Sequence, residues 1–262
     1  MPLLHSPPVP VLILGGTTEA STLCTLLEYQ NNFAPTLSLA GVTRNPHLPA
    51  LSVRTGGFGG VDGLCDWLRH NKIQAVVNAV HPFAAVMSQH VSIACEKLSL
   101  PLLRLKRPGW KATPADTWHH APDLNKAAMV LAEITQPLQI FLTTGRKETR
   151  PFKNAPQHHY ILRSIEAPLP TDLPPHTTLI TARGPFDLAG EYDMLRRHQI
   201  NWLVTKNSGG KATFAKIEAA RQLNIPVLII DRPAQPAGPC VHTAQEALSW
   251  LQNYSATTLR NV

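Results

Sequence analysis

The residues with chemistry to offer are gathered in short loops that follow apolar runs. The stretch 11-VLILGGTTEA-20 carries such a run into Gly15-Gly16-Thr17-Thr18-Glu19. Two glycines let the backbone come close to a ligand, and a helix starting just beyond them presents free N–H groups and a positive dipole end. That is the chemistry of a phosphate site. The stretch matches neither G-x-G-x-x-G nor G-x-x-x-x-G-K-[ST], so Gly16 or Thr17 as a plain helix cap, with Glu19 supporting the first turn, is the competing reading. The next loop, 40-AGVTR-44, has no carboxylate to hold a ribose 2′-OH; it has Arg44, which suits a 2′-phosphate unless it is simply solvated. In 55-TGGFGG-60 four glycines, ending in Gly59 and Gly60, surround Phe58, a density a plain turn rarely needs. In 78-NAVHPFA-84, Pro82 stops a strand and can open a helix, which leaves His81 at the strand's carboxyl end with Phe83 just beyond it.

The second half repeats this logic with more positive charge. Its loops are Thr143-Thr144-Gly145-Arg146, Arg183-Gly184-Pro185-Phe186, Lys206-Asn207-Ser208-Gly209-Gly210-Lys211 and Asp231-Arg232-Pro233. The Lys-Asn-Ser-Gly-Gly-Lys turn can offer an anion backbone N–H groups, a hydroxyl, an amide and ammonium groups. Solvation of each cation at its own loop tip leaves unexplained why Arg146, Arg183, Lys206 and Arg232 all end strands on one sheet edge. Metal chemistry is not indicated. Cys24, Cys65, Cys95 and Cys240 form no C-x-x-C pair, and the pairs His119-His120 and His158-His159 are adjacent residues that point to opposite faces of a strand.

The elements that must position these loops alternate. Strands are expected at Val9–Leu14, Thr36–Val42, Ala75–Val80 and Leu102–Leu105, with helices at Glu19–Tyr29, Val61–His70 and Ala84–Lys97. After the break 107-RPGWKATPAD-116 come helix Leu124–Ile134 and strands Leu138–Thr143, Tyr160–Ser164 and Thr178–Thr181. Helix Leu188–His198, strand Trp202–Thr205, helix Phe214–Leu223, strand Val227–Ile230 and helix Ala244–Trp250 close the pattern. Strands separated by helices of this length imply βαβ units and parallel sheets, whose ligands bind beyond the strands' carboxyl ends. The expected fold is α/β: two Rossmann-like parallel-sheet domains, residues 1–111 and 112–262, with a cleft between them.

Composition narrows the partners. Of the 262 residues 44% are hydrophobic and 16% charged, which supports a real core and excludes a disordered chain. No apolar stretch reaches the ~18 residues of a membrane helix, and 1-MPLLHSPPVP-10 lacks the basic head of a signal peptide, so a soluble, cytoplasmic protein is expected. The net charge is +7, but the basic residues are dispersed among loops, without the clusters or aromatic motifs that nucleic-acid binding needs. A small polyanion is the expected ligand.

Taken together, LGGTTEA, LAGVTR, GGFGGVDGL, HPFA, RPGW, TTGR, ARGPF, KNSGGKAT-FAKIEAAR and PVLIIDRP resemble the precorrin-6A reductase family of cobalamin biosynthesis, which includes the cobalt-precorrin-6A reductases. The motifs run in family order from residue 14 to residue 233. One departure is Val80, where the family usually has threonine before H-P-F; valine has no hydroxyl to offer a cofactor. The resemblance implies NADPH and substrate held between two Rossmann-like domains, and reduction of a macrocyclic C=C bond with hydride to C19 and a proton to C18. Gly15, Gly16, Thr17, Thr18, Arg44, Gly59, Gly60, His81, Pro82 and Phe83 would then hold NADPH. Arg146, Arg183, Lys206, Asn207, Ser208, Gly209 and Gly210 would grip the carboxylates of the anionic tetrapyrrole-derived macrocycle, and Lys206 or a water would supply the proton. The rival readings are another NAD(P)H-dependent reductase of a polyanion and a non-catalytic NADPH-binding sensor.

Overall fold

The computed structural model describes residues 7–41 and 51–260, with side chains to residue 256. The first part of the chain runs β1 (Val9–Leu14), α1 (Thr18–Leu27), β2 (Phe33–Leu39), β3 (Ser52–Thr55), α2 (Gly60–His70), β4 (Ala75–Asn78), α3 (Ala85–Lys97) and β5 (Leu102–Leu105). It continues through β6 (Trp118–Ala121), α4 (Leu124–Ala132), β7 (Gln139–Leu142), β8 (His159–Ser164), β9 (Thr177–Thr181), α5 (Leu188–Arg197), β10 (Trp202–Lys206), α6 (Ala215–Gln222) and β11 (Val227–Ile230). Last come β12 (Cys240–Val241) and α7 (Ala244–Arg260).

These strands form two six-stranded sheets, β12-β5-β4-β1-β2-β3 and β6-β11-β10-β7-β8-β9, parallel at every pairing. The fold is therefore the expected pair of α/β parallel-sheet domains. The first sheet starts at the inner strand β1, and the second reaches the equivalent inner strand β7 after laying down its edge strand β6; from there each steps outward through two strands and crosses back to build the other side. That reversal is the topological switch point at which open α/β sheets bind nucleotides. Central strands read as continuous apolar runs because helices cover both faces. In β1 every residue but Pro10 is buried, and β4 and β11 are buried throughout.

The chain divides into unit 1, Met1–Pro108 with Ala234–Val262, and unit 2, Gly109–Pro233. This corrects the expected 112–262 domain: the last segment belongs to the first unit. The cause is edge pairing. Cys240 and Val241 pair with Arg104 and Leu105 on the outer side of β5. The stripe Ala244, Ala247, Leu248 and Leu251 then enters the same core as Leu23 and Leu27 of α1, at the spacing of one helix face. Unit 2 fills its corresponding outer place with β6, which comes before the rest of its sheet and pairs with β11. Thus β6 follows β5 in the chain and β12 follows β11, yet each lies in the other sheet. Cys24, Cys65 and Cys95 are buried in the helices, and Cys240 is exposed.

Candidate functional site

In unit 1 a cavity of about 750 Å³ opens at the carboxyl ends of the first sheet's strands. That is within the usual range for a cofactor site. Gly15 and Gly16 form part of its wall, together with Leu37, Ser38 and Gly41 from the end of β2. The β1–α1 turn is built for close approach. Gly16 has φ +108, and a Cβ there would meet no protein atom within 4 Å, so the space over it is open. At Gly15, by contrast, a Cβ would collide with Leu37.

Thr17 caps α1: its hydroxyl oxygen accepts from Ala20 N at 3.2 Å and its O–H donates to Ala79 O at 2.7 Å. Its side chain is thus a structural tie between β1 and β4, and what it leaves for a ligand is backbone. The N–H groups of Thr18 and Glu19 begin the first turn, where no intrahelical acceptor exists. The cap belongs to Thr17, and the open approach lies over Gly16. The Glu19 carboxylate pairs with Arg107 at 2.8 Å, which keeps an acidic group at this helix start neutralised.

Farther along the edge, Gly56, Gly57 and Phe58 line the cavity, whereas Gly59 and Gly60 do not. Those two start α2: Gly59 is its N-cap, in the left-handed region at φ 78. Gly59 and Gly60, expected to hold the cofactor, start α2 just beyond the cavity wall formed by Gly56 and Gly57. An unforeseen residue holds this loop. Arg54 donates to Ser38 Oγ (2.8 Å), Gly56 O (3.0 Å) and Gly57 O (2.9 Å), and its guanidinium lies 3.7 Å from the Phe58 ring centroid. The arginine was legible in 52-SVRT-55, but its reach across to β2 was not. Arg44 lies outside the described residues.

At the end of β4, Val80, His81, Ala84 and Met87 face the cavity, and Pro82 and Phe83 do not. The chain turns there, Ala84 N donating to His81 O at 2.8 Å. Phe83 N meets His81 Nδ1 at 3.3 Å and Pro82 is buried, its carbonyl accepting from Gln235. Pro82 and Phe83 shape the turn that carries His81.

Unit 2 collects its basic residues at the carboxyl ends of its own strands, and most are already engaged. Arg146 pairs with Glu166 at 2.7 Å, and Lys206, ending β10, pairs with Glu148. The Asn207 amide is committed to the RPGW element: Oδ1 accepts from Trp110 N at 2.7 Å and Nδ2 donates to Trp110 O at 3.1 Å. The amide, expected to face an anion, thus also anchors the loop. Arg232 donates to Asn207 O (2.8 Å) and Ser208 O (3.0 Å), fixing the same turn from the other side. Ser208, Gly209 and Gly210 remain partly exposed along it, and Arg183 is exposed.

Beneath this turn lies Lys216, 4% exposed, donating to Thr213 O at 2.8 Å with its ammonium 5.0 Å from the Trp110 ring centroid. Burial, reinforced by the positive charge of Arg163 and opposed by Glu191, lowers its pKa from 10.5 to about 7. Arg163 and Glu191 themselves form a buried ion pair. Among the described residues no cluster of His, Cys, Asp or Glu could hold a metal, and no helix is long and apolar enough to cross a membrane.

The comparisons agree with this picture. The family model described as "Precorrin-6x reductase CbiJ/CobK" matches residues 10–252. A precorrin-6A reductase of Rhodobacter capsulatus is 43% identical over 250 residues, covering 94% of this chain and 97% of the relative. A cobalt-precorrin-6A reductase of Priestia megaterium is 25% identical over 254 residues, covering 93% of this chain and 98% of the relative. A solved structure, "CobK precorrin-6A reductase", superposes with a TM-score of 0.86 at 42% identity over 94% of this chain and 96% of its own. By motif, strand order and overall match, the chain belongs to the precorrin-6x reductase family.

Proposed function

We propose that this protein reduces precorrin-6A at the expense of NADPH, placing hydride at C19 of the macrocycle and a proton at C18. The observation that carries the cofactor half is the 750 Å³ cavity over Gly16 in unit 1. Its shape requirements fit a dinucleotide. The N–H groups of Thr18 and Glu19 suit the pyrophosphate, the β2 end suits the adenosine, and Val80, His81, Ala84 and Met87 are left for the nicotinamide. Arg44 would read the 2′-phosphate. NADPH, when bound, supplies the hydride. The protein's share is to hold and neutralise two anions and to exclude water, a matter of positioning.

The basic strand ends of unit 2 supply the second anion site. Arg146, Lys206 and the turn Ser208-Gly209-Gly210 would take the substrate carboxylates, with Asn207 and Arg232 holding that turn in shape. Lys206 or a water delivers the proton. The higher identity to the precorrin-6A reductase than to the cobalt-precorrin-6A reductase, 43% against 25%, supports a metal-free substrate. A spectral assay offering metal-free and cobalt-bound substrate with NADPH or NADH tests this. Faster turnover of the metal-free substrate with NADPH is the expected result. No NADPH oxidation with either substrate would favour a cofactor-binding sensor instead.

A further inference from the structure

The cations proposed to receive substrate carboxylates are not waiting empty: the protein supplies each with a carboxylate of its own. Arg146 follows the end of β7 and pairs with Glu166, which follows β8; Lys206 ends β10 and pairs with Glu148, which follows β7. Both glutamates are held in place through their backbones, not through the ion pairs alone. Ser164 Oγ donates to Glu166 O at 2.7 Å, and Glu148 N donates to Gly145 O at 3.2 Å. The pairs are neither sealed in the core nor fully solvated. Side-chain exposures are 33% and 24% for Arg146 and Glu166, and 13% and 31% for Lys206 and Glu148.

We infer that Glu148 and Glu166 are specificity-determining residues, internal counter-ions that a substrate must displace to reach Lys206 and Arg146. This rests on the proposed assignment of substrate to unit 2. A carboxylate exchanged for a carboxylate conserves the charge and hydrogen-bond type at each cation, so displacement by a ligand of matched geometry has a small net free energy. A monocarboxylate wins one exchange and also loses its translational freedom, so it competes poorly. A macrocycle bearing several carboxylates performs both exchanges at a single association cost. The filter therefore rejects small acids by giving the cations to the protein itself, the repulsive half of a specificity device.

The test uses the full-length E148Q and E166Q proteins, separately and combined, with propionate as the small-acid probe. Glutamine keeps the shape of each side chain and removes its charge. The expected result is a KM for precorrin-6A lowered about two- to fivefold per substitution, the range of a partly exposed ion pair. Inhibition by propionate should appear at correspondingly lower concentration, with the NADPH dissociation constant unchanged. An unchanged or raised KM in both single variants, with propionate no more inhibitory than in the wild type, overturns the inference. R146A and K206A separate that failure from failure of the substrate assignment. If they raise KM while the glutamine variants do nothing, only the counter-ion role falls. If they leave KM unaltered, the assignment of substrate to unit 2 falls with it.

Discussion

Gly16 is the residue on which cofactor binding turns. Its φ of +108 and the open space above it mean that any side chain is both strained and placed where a pyrophosphate would lie. Gly16→Ala should cost about 1–3 kcal/mol in backbone strain. It should also weaken NADPH binding roughly tenfold or more, read by fluorescence titration of protein shown to be folded. Unchanged affinity would remove the pyrophosphate from this turn. Arg44→Ala should lose about one to two decades of preference for NADPH over NADH, the worth of a charge-assisted contact. Arg54→Leu should lower affinity for both cofactors together, since it removes the three hydrogen bonds that shape the Gly56-Gly57 wall. Equal loss in Arg54→Leu against selective loss in Arg44→Ala distinguishes support of the wall from reading of the phosphate. The glycines were legible because a turn's needs are local. Which side chain would be used up by a partner, as Asn207 is by Trp110, was not, because the partner lies 97 positions away.

At the scale of elements, the turn after β10 is held by two neighbours, Trp110 and Arg232. Asn207→Asp keeps the acceptor facing Trp110 N but turns the donor facing Trp110 O into a second acceptor. The loss should be about 1–3 kcal/mol in stability, seen as a lower Tm and a raised substrate KM with NADPH affinity intact. Lys216 gives stability a pH dependence. Its folded pKa, about 7, lies below the 10.5 of the free side chain, so between these values the unfolded chain binds the proton and the folded one does not. Stability should therefore rise with pH above 7, at up to about 1.4 kcal/mol per unit. Above pH 9 the buried thiols of Cys24 and Cys95, pushed up to about 12, act in the opposite sense. Denaturant titrations from pH 7 to 9 should show that slope in the wild type and its loss in Lys216→Met. An equal slope in both proteins would mean Lys216 is not the titrating group. Central strands such as β1 and β11 were readable as buried apolar runs, whereas β3, β6 and β12 lie at or next to sheet edges, are short, and carry Arg54, His119 and Cys240. Edge strands bury little, so their composition says little.

Over the whole molecule, the decisive feature was invisible to local pattern: β12 and α7 return to unit 1, and β6 takes the corresponding place in unit 2. No residue type announces which sheet an edge strand will join, because that choice is settled by which outer strand lacks a neighbour. The consequence is testable. Removing residues 234–262 takes away β12 and the α7 stripe that shares a core with α1. NADPH binding should be lost although every residue proposed to hold the cofactor precedes residue 108, and retained binding would show that unit 1 is complete without its C-terminal segment. The proposed reaction turns on hydride transfer to one carbon. Reduction of precorrin-6A with NADPH deuterated at the nicotinamide C4, analysed by NMR of the product, measures it directly. The account predicts deuterium at C19 and solvent-derived hydrogen at C18. Product without label at C19, or no turnover of NADPH in the presence of precorrin-6A, would contradict it.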